Sequence, residues 1–168
     1  MAESGTPVIR RPRYVKRSVE HMFLGQYRHN FDAKGRLTIP ARFRELLTDG
    51  AYVTRGFEQN LMVLAAPAFD ALTQGVNQHS LTDPTARDLK RLLFSTADRV
   101  EPDSSGRILI PQFLRELAGL DSEAVVVGVG DYFEIWSPAQ WDEKMALLND
   151  TDANAQRFAG LDLTSSQS

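Results

Sequence analysis

Two arginines each follow a glycine within the same nine-residue pattern, which the chain carries twice. The first copy, DAKGRLTIP, runs from Asp32 to Pro40, and the second, DSSGRILIP, runs from Asp103 to Pro111, seventy-one positions later. A guanidinium presents five donors in a fixed fork, which suits phosphate oxygens or the O6 and N7 atoms of guanine. Arg36 and Arg107 are therefore candidate contacts to such groups, and Lys34 adds a point charge suited to phosphate.

The same pattern also permits a purely structural interpretation. Asp32 can pair with Arg36, and Asp103 with Arg107, so that each salt bridge tightens its own turn. An aspartate in a turn accepts hydrogen bonds from backbone two residues on, so we interpret both aspartates as structural. From the residues alone, the two roles of the arginines remain equally open.

The D-x-x-G-R segments are predicted to be turns that join two short strands. Glycine supplies a positive φ without a steric clash, and proline suits the first turn of the helix that follows. The predicted turn residues are Asp32, Gly35, Pro40, Asp103, Gly106 and Pro111.

The chain is an internal duplication. Residues 32–46 and 103–117 share eight identities in fifteen positions, and LMVLAAPAF (61–69) corresponds to FEIWSPAQW (133–141). Strands this short leave half a core and open edges, so we expect the β-layers of two pseudo-equivalent halves to pack against each other. The predicted fold class is α+β, with a pseudo-twofold within one chain.

A division into segments follows from this pattern. Asp83-Pro84 predicts the start of a linking helix, with Leu89, Leu92 and Leu93 on its apolar side and a solvated basic side. Pro67 and Pro138 begin the helices that close the two halves. The predicted segments are a basic, disordered extension (1–21), a first repeat (26–70), linking helices (71–96), a second repeat (97–141), and the end of the last helix with a disordered polar tail (142–168).

Composition excludes several classes of protein. The 168 residues include no Cys, which excludes disulfides, thiol catalysis and Cys-ligated metals. No apolar run approaches the roughly 18 residues that span a bilayer, so we expect a cytoplasmic chain that does not contact a membrane. Gly128 and Gly130 lack the third glycine of a dinucleotide loop, and the three histidines share no ligand spacing. We therefore expect no enzyme, metal, cofactor or small-molecule substrate.

Positive charge is concentrated near the N-terminus although the net charge is −3. RRPRYVKR (10–17) carries five positive charges, and residues 32–44 carry Lys34, Arg36, Arg42 and Arg44 against one Asp. Acidic residues gather in the second half and the tail. We expect two faces of opposite sign, and a basic arm that would attract phosphate without sequence preference.

MFLGQYRHNFDAKGRLTIPARFRELL (22–47) resembles the start of the MraZ family of bacterial transcriptional regulators, and ADRVEPDSSGRILIPQFLREL resembles the family's second half. The likeness covers roughly residues 22–148, so residues 1–21 precede the family pattern and are either a true basic arm or the product of an upstream start codon, with Met22 as the alternative start. It implies two AbrB-like (SpoVT-AbrB) swapped-hairpin β-barrel halves. It also implies a nucleoid-associated ring oligomer, which binds short repeated boxes in double-stranded DNA upstream of the division and cell-wall gene cluster, its own promoter included.

The resemblance places DNA contact in the D-x-x-G-R motif, with Arg36 foremost. The other candidate DNA-binding residues are Lys34, Arg42 and Arg107, although Ser104 and Ser105 leave the second turn less basic. Arg44 and Arg115 recur at matching helix positions, so we expect them to support the fold or a subunit contact.

One alternative is a protein-interaction module of antitoxin type, since AbrB-like folds also occur in antitoxins. The acidic tail, Trp141 and Met145 could serve such contacts, although Trp141 is better interpreted as core.

Overall fold

The computed structural model describes residues 18–164, so the basic run RRPRYVKR and the last four residues lie outside the described residues. After a 3₁₀ turn at Val19–His21, this part of the chain forms eight strands and six α-helices. The strands are β1 Gln26–Asn30, β2 Arg36–Thr38, β3 Ala51–Arg55, β4 Leu61–Ala65, β5 Asp98–Val100, β6 Arg107–Leu109, β7 Glu123–Gly128 and β8 Phe133–Trp136. The helices are α1 Ala41–Glu45, α2 Ala66–Asn77, α3 Pro84–Phe94, α4 Gln112–Leu117, α5 Pro138–Leu148 and α6 Thr151–Phe158.

The two halves exchange their outer strands. Six antiparallel strands form one sheet in the order β1-β7-β8-β4-β3-β5, so β1 of the first half lies on β7 of the second, and β5 of the second half lies on β3 of the first. The hairpins β3–β4 and β7–β8 join through β4 and β8. The expectation that the two halves combine their β-layers and cover each other's edges is therefore met within one sheet. The halves join edge to edge, because this arrangement gives backbone partners to edges that either hairpin alone would expose.

The second β-element is a ribbon of two strands, β2 and β6, one from each half. Its inward side chains and those of α1 and α4 pack on one face of the sheet, where Leu37, Ile108, Phe43 and Leu114 are almost fully buried. The opposite face is covered by α2 and α3 over the first half and by α5 over the second. The fold is a mixed α/β arrangement of three layers.

The predicted helix starts are confirmed in the linking and closing helices. Asp83 accepts a hydrogen bond from the Thr85 N–H at 2.9 Å, and Pro84 is the first residue of α3. α2 carries Pro67 in its first turn, and α5 begins at Pro138.

Two local predictions need correction. Pro40 and Pro111 do not lie in the first helical turn but one residue before it, with extended ψ values of 140° and 142°. The tail after Leu148 was expected to be disordered, but it contains the helix α6. Asp150 caps α6 by accepting from the Ala153 N–H at 3.0 Å, a helix-start signal that the polar composition of the tail concealed.

We predict that neither half folds as a monomer, because each hairpin takes its outer strand from the other half. Fragments 18–80 and 81–164, expressed separately, should be unfolded or form homodimers that imitate the exchange. Circular dichroism with size-exclusion chromatography would test this, and mixing the fragments should restore a one-to-one complex. A folded monomeric fragment would contradict the prediction.

Candidate nucleic-acid interface

The β2–β6 ribbon turns one face to the core and the other outward. Leu37 pairs with Ile108, and both side chains are fully buried. Because successive side chains of a strand alternate between faces, the flanking residues project from the opposite side. That outward face consists of Arg36, Thr38, Arg107 and Leu109.

Each D-x-x-G-R turn is held by its aspartate. Asp32 Oδ1 accepts from the backbone N–H groups of Lys34 and Arg36, both at 2.9 Å. Asp103 Oδ1 accepts in the same way from Ser105 at 2.9 Å and Arg107 at 3.0 Å. Each carboxylate therefore fixes the backbone on which its arginine is mounted.

The two turns are joined by a cluster of two arginines and two aspartates, which we call the ribbon cluster. Within each repeat, Arg36 Nε contacts Asp32 Oδ2 at 2.6 Å, and Arg107 Nε contacts Asp103 Oδ2 at 3.2 Å. Across the repeats, Arg107 Nη1 contacts Asp32 Oδ2 at 3.1 Å, and Arg36 Nη1 lies 3.9 Å from Asp103 Oδ2. The intramotif pairs that the residues left open are present, and the ribbon cluster as a whole carries no net charge.

A helix arginine of each repeat closes over the turn of the other. Gly35 has φ of +80°, and a Cβ there would lie 2.7 Å from the Arg115 guanidinium. Gly106 has φ of +74°, and a Cβ there would overlap the Arg44 side chain. Arg115 Nε also donates to the Ile110 carbonyl at 3.1 Å. Arg44 and Arg115 thus lie where they support the fold. Glycine is required in each turn because the backbone has a positive φ there and because a side chain would collide with the arginine.

Uncompensated positive charge lies at both ends of the ribbon. Lys34 and Arg42 are exposed, and neither forms a salt bridge within residues 18–164. The first turn adjoins Ile110, just before α4, whereas the second adjoins Ile39, just before α1 and Arg42. The neutral ribbon cluster is therefore flanked by one cation on each side.

An exposed apolar patch that the residue patterns were not used to predict lies next to this face. Leu109, Phe113 and Leu117 are 54%, 48% and 39% exposed, and we call them the α4 patch. A signal was available in the repeat alignment. Thr38, Arg42 and the partly buried Leu46 occupy the matching positions of the first repeat, so two of the three positions become apolar only in the second.

Hydrogen bonding lowers the pKa of both turn aspartates below its usual value. The pKa of Asp32 is lowered mainly by the hydrogen bond from the Arg36 backbone N–H, and partial burial opposes this by raising it. The Arg36 side chain and the Lys34 backbone N–H lower the pKa further. The Arg107 backbone N–H is likewise the main cause of the lowered pKa of Asp103, with help from Ser105 and the Arg107 side chain. Both carboxylates are favoured in the ionised form that the ribbon cluster requires.

We predict that the ribbon cluster contributes to acid sensitivity. A carboxylate whose folded pKa is lowered adds stability that is fully present above its unfolded pKa, near pH 4, and is lost as the pH falls through the folded pKa. The double variant Asp32→Asn/Asp103→Asn should unfold at lower urea concentration than wild type at neutral pH. The urea concentration at the midpoint of its unfolding should then fall less than that of wild type between about pH 5 and pH 3. Asp121→Asn, an exposed site before β7, is the control, and a double variant as acid-sensitive as wild type would refute the assignment.

Within the described residues, no three His, Cys, Asp or Glu side chains are grouped so that they could hold a metal ion. The same part of the chain has no helix long and apolar enough to cross a membrane.

Comparison with known proteins identifies the family to which this chain belongs. The profile of a family described as "MraZ protein, putative antitoxin-like" matches the chain twice, over residues 22–92 and 93–161. A Transcriptional regulator MraZ of Roseiflexus castenholzii is 46% identical over 138 residues, which cover 82% of this chain and 94% of that protein. The protein of the same name from Thermomicrobium roseum is 45% identical over 141 residues, which cover 83% of this chain and 99% of that protein. That of Finegoldia magna is 38% identical over 138 residues, covering 82% and 94%. With two family repeats in tandem and relatives this similar over most of its length, the chain belongs to the MraZ family.

Proposed function

We propose that this protein is a sequence-specific, DNA-binding transcriptional regulator that inserts the β2–β6 ribbon into the major groove. The observation that carries the proposal is the outward face of the ribbon, where Arg36 and Arg107 lie between the uncompensated charges of Lys34 and Arg42. Its targets are short repeated boxes in promoter DNA, including its own promoter in the division and cell-wall gene cluster. It acts in the cytoplasm, on the nucleoid.

The dimensions of the ribbon support this proposal. The major groove of B-DNA is about 12 Å wide and admits a two-stranded ribbon. Three-residue strands span about 10 Å, so the whole outward face can lie within one groove. In that position Arg36 and Arg107 meet base edges, while Lys34 and Arg42 meet the phosphates on either side.

The ribbon cluster suits base recognition better than phosphate attraction. Its two aspartates cancel the charge of its two arginines, so long-range attraction must come from Lys34 and Arg42. In each arginine, Nη2 forms no hydrogen bond within residues 18–164 and is available to an acceptor on a base. Because the aspartates hold the guanidinium groups in place, little side-chain entropy is lost on binding.

We further infer that the subunits assemble into a ring through Phe113 and Leu117, the helical part of the α4 patch, whereas Leu109 belongs to the outward face of the ribbon. A few phosphate contacts bind weakly at physiological salt, but linked sites on spaced DNA boxes raise avidity by about 10²- to 10⁴-fold. Head-to-tail contacts that close give such a ring. Phe113 and Leu117 lie one turn apart on α4, and exposed apolar side chains grouped in this way are typical of protein interfaces.

The strand exchange supports the finer fold assignment, in which the halves form the swapped-hairpin β-barrel of AbrB-like proteins. β1 and β5 each cross to the hairpin of the other repeat, and β2 pairs with β6 between them. The basic arm before residue 18 would add attraction without sequence preference, and this contribution stays a prediction.

The DNA proposal predicts that removing cations at the ribbon weakens binding selectively. Fluorescence anisotropy would compare a labelled fragment from upstream of the gene with a shuffled fragment, each at two salt concentrations. Lys34→Ala/Arg42→Ala should bind both fragments more weakly, with the salt slope reduced by about two, or one per lost phosphate contact. Arg36→Ala should lose discrimination between the fragments while keeping its oligomer size.

The matched control is Arg91→Ala, which removes an exposed arginine from α3, far from the ribbon in sequence. It should bind like wild type. Equal binding of both fragments by wild type would point to non-specific attraction, and an intact Arg36→Ala protein that still discriminates would exclude Arg36 as a reading residue.

The assembly proposal predicts that Phe113→Gln/Leu117→Gln lowers the oligomer size measured by light scattering, because the apolar contact between subunits is lost. Leu147→Gln, at a leucine of α5 that is 62% exposed, should leave the size unchanged. If wild type is monomeric, the α4 patch instead serves another protein, as in the antitoxin-type alternative.

A further inference from the structure

An open cavity lies between α2, α3 and the first half of the sheet. Its volume is about 360 Å³, and it is lined by Tyr52, Phe69, Thr73, Asn77, Phe94 and Ala97. The rings of Tyr52 and Phe69 stack at 4.4 Å and only 15° from parallel. Phe94 meets Phe69 edge-on, with ring centroids 6.4 Å apart and planes at 75°. Ligand-binding cavities commonly have volumes of about 300–1,000 Å³, so this one is large enough for a small molecule.

The corresponding place in the second half is filled. There Trp141 packs against Trp136 with ring centroids 5.5 Å apart, in one cluster with Met145. The Trp141 Nε1–H donates to Gln26 Oε1 at 2.9 Å. Arg28, in the strand that Gln26 begins, is tied to Asp142 of α5 at 2.9 Å. Side chains from β1, β8 and α5 thus close the site.

Differences between the repeats account for the opening. Ala97 stands at the position that matches Gln26, and Phe69 stands where the second repeat has Trp141. Arg99 matches Arg28, but it pairs with Glu101 at 3.1 Å rather than with the helix residue Asp70. Two of these side chains are smaller than their counterparts and one salt bridge is absent, although Tyr52 is larger than the matching Val125. The helices also differ, because α2 and α3 both cover the first half, whereas α5 covers the second.

From this lining we infer that the cavity is a binding site for a small, uncharged, planar aromatic molecule. The stacked pair of Tyr52 and Phe69 offers a flat ring contact, and aromatic rings favour offset stacking or edge-on packing against one another. None of the six lining residues is charged. The Arg99 guanidinium lies 5.8 Å from the centroid of the Tyr52 ring, but it is already paired with Glu101 at 3.1 Å, so the lining disfavours phosphates and carboxylates. Thr73 and Asn77, one turn apart on α2, supply a hydroxyl and a carboxamide for a polar edge of the ligand.

The probe for the test is N-phenyl-1-naphthylamine, an uncharged dye that fluoresces in apolar surroundings. Full-length protein should bind it saturably, with one dye per chain. Its anionic analogue, 8-anilino-1-naphthalenesulfonate, has the same rings plus a sulfonate and should bind more weakly, because no lining residue is charged and the nearby Arg99 is already paired with Glu101.

The second repeat supplies the design of the closing variant. Phe69→Trp/Ala97→Gln introduces the pair that fills the other half and should raise the dissociation constant of the uncharged dye about tenfold or more. The reverse pair, Gln26→Ala/Trp141→Phe, alters the matching site and should leave the first site's affinity unchanged. Thermal unfolding of each variant reports whether the fold is intact.

If the closing variant fails to fold, Thr73→Phe adds a ring to the lining from a partly exposed position of α2 and should weaken binding of the dye to a similar extent. Absence of dye binding by wild type would overturn the inference. Binding that survives the closing variant, or Thr73→Phe, would also overturn it, because the dye would then occupy another surface such as the α4 patch.

Discussion

The fold depends on the way in which its two turns hold each other. Asp32 fixes its own turn through backbone N–H groups and also receives the guanidinium of Arg107 from the other repeat. Partly exposed ion pairs of this kind contribute at most about 1 kcal/mol each, so they are not the main source of stability. Their effect is geometric: they set the ribbon strands in register and aim two arginines outward. Burial of Leu37 and Ile108 beneath them supplies the hydrophobic stabilisation.

The duplication keeps one backbone plan and lets the surfaces differ. Positions that hold the chain together are the same in both repeats: the turn aspartate, the glycine with positive φ, and the helix arginine that closes over the opposite turn. Positions that face solvent have diverged, since Arg42 corresponds to Phe113 and Lys34 to Ser105. Such a molecule can present charge at one of its matched sites and apolar side chains at the other. In a symmetric dimer of identical halves, the two matched sites would have to carry the same side chains.

This asymmetry also accounts for the way a chain with net charge −3 could act on DNA. Affinity for phosphate depends on the local field rather than on the total charge. On the outward face of the ribbon the aspartates neutralise the arginines, and the remaining charge stands at the edges. In the proposed mode of binding, different side chains would discriminate between bases and attract the backbone, and the proposed multivalent assembly would provide the affinity that one subunit lacks.

The sequence by itself determined what depends on neighbours along the chain. The internal repeat, the turn chemistry of D-x-x-G-R and the helix starts at Pro67, Pro84 and Pro138 follow from residues a few positions apart, and each could be predicted. The cap at Asp150 is equally local, but the polar tail concealed it. Family membership also followed from the two motifs at their spacing.

Only the tertiary structure decided which half of the chain supplies the neighbouring strand or side chain in each contact. A strand of three to five residues carries too little pattern to say whether it pairs within its own repeat or with the other, so the residue patterns did not predict the exchange of β1 and β5, and only the family resemblance implied swapped hairpins. The salt bridge between Arg107 and Asp32, the approach of Arg115 to Gly35 and the cavity beside Ala97 all depend on that choice. They join residues distant in sequence, and such contacts are fixed by packing in three dimensions rather than by local preference.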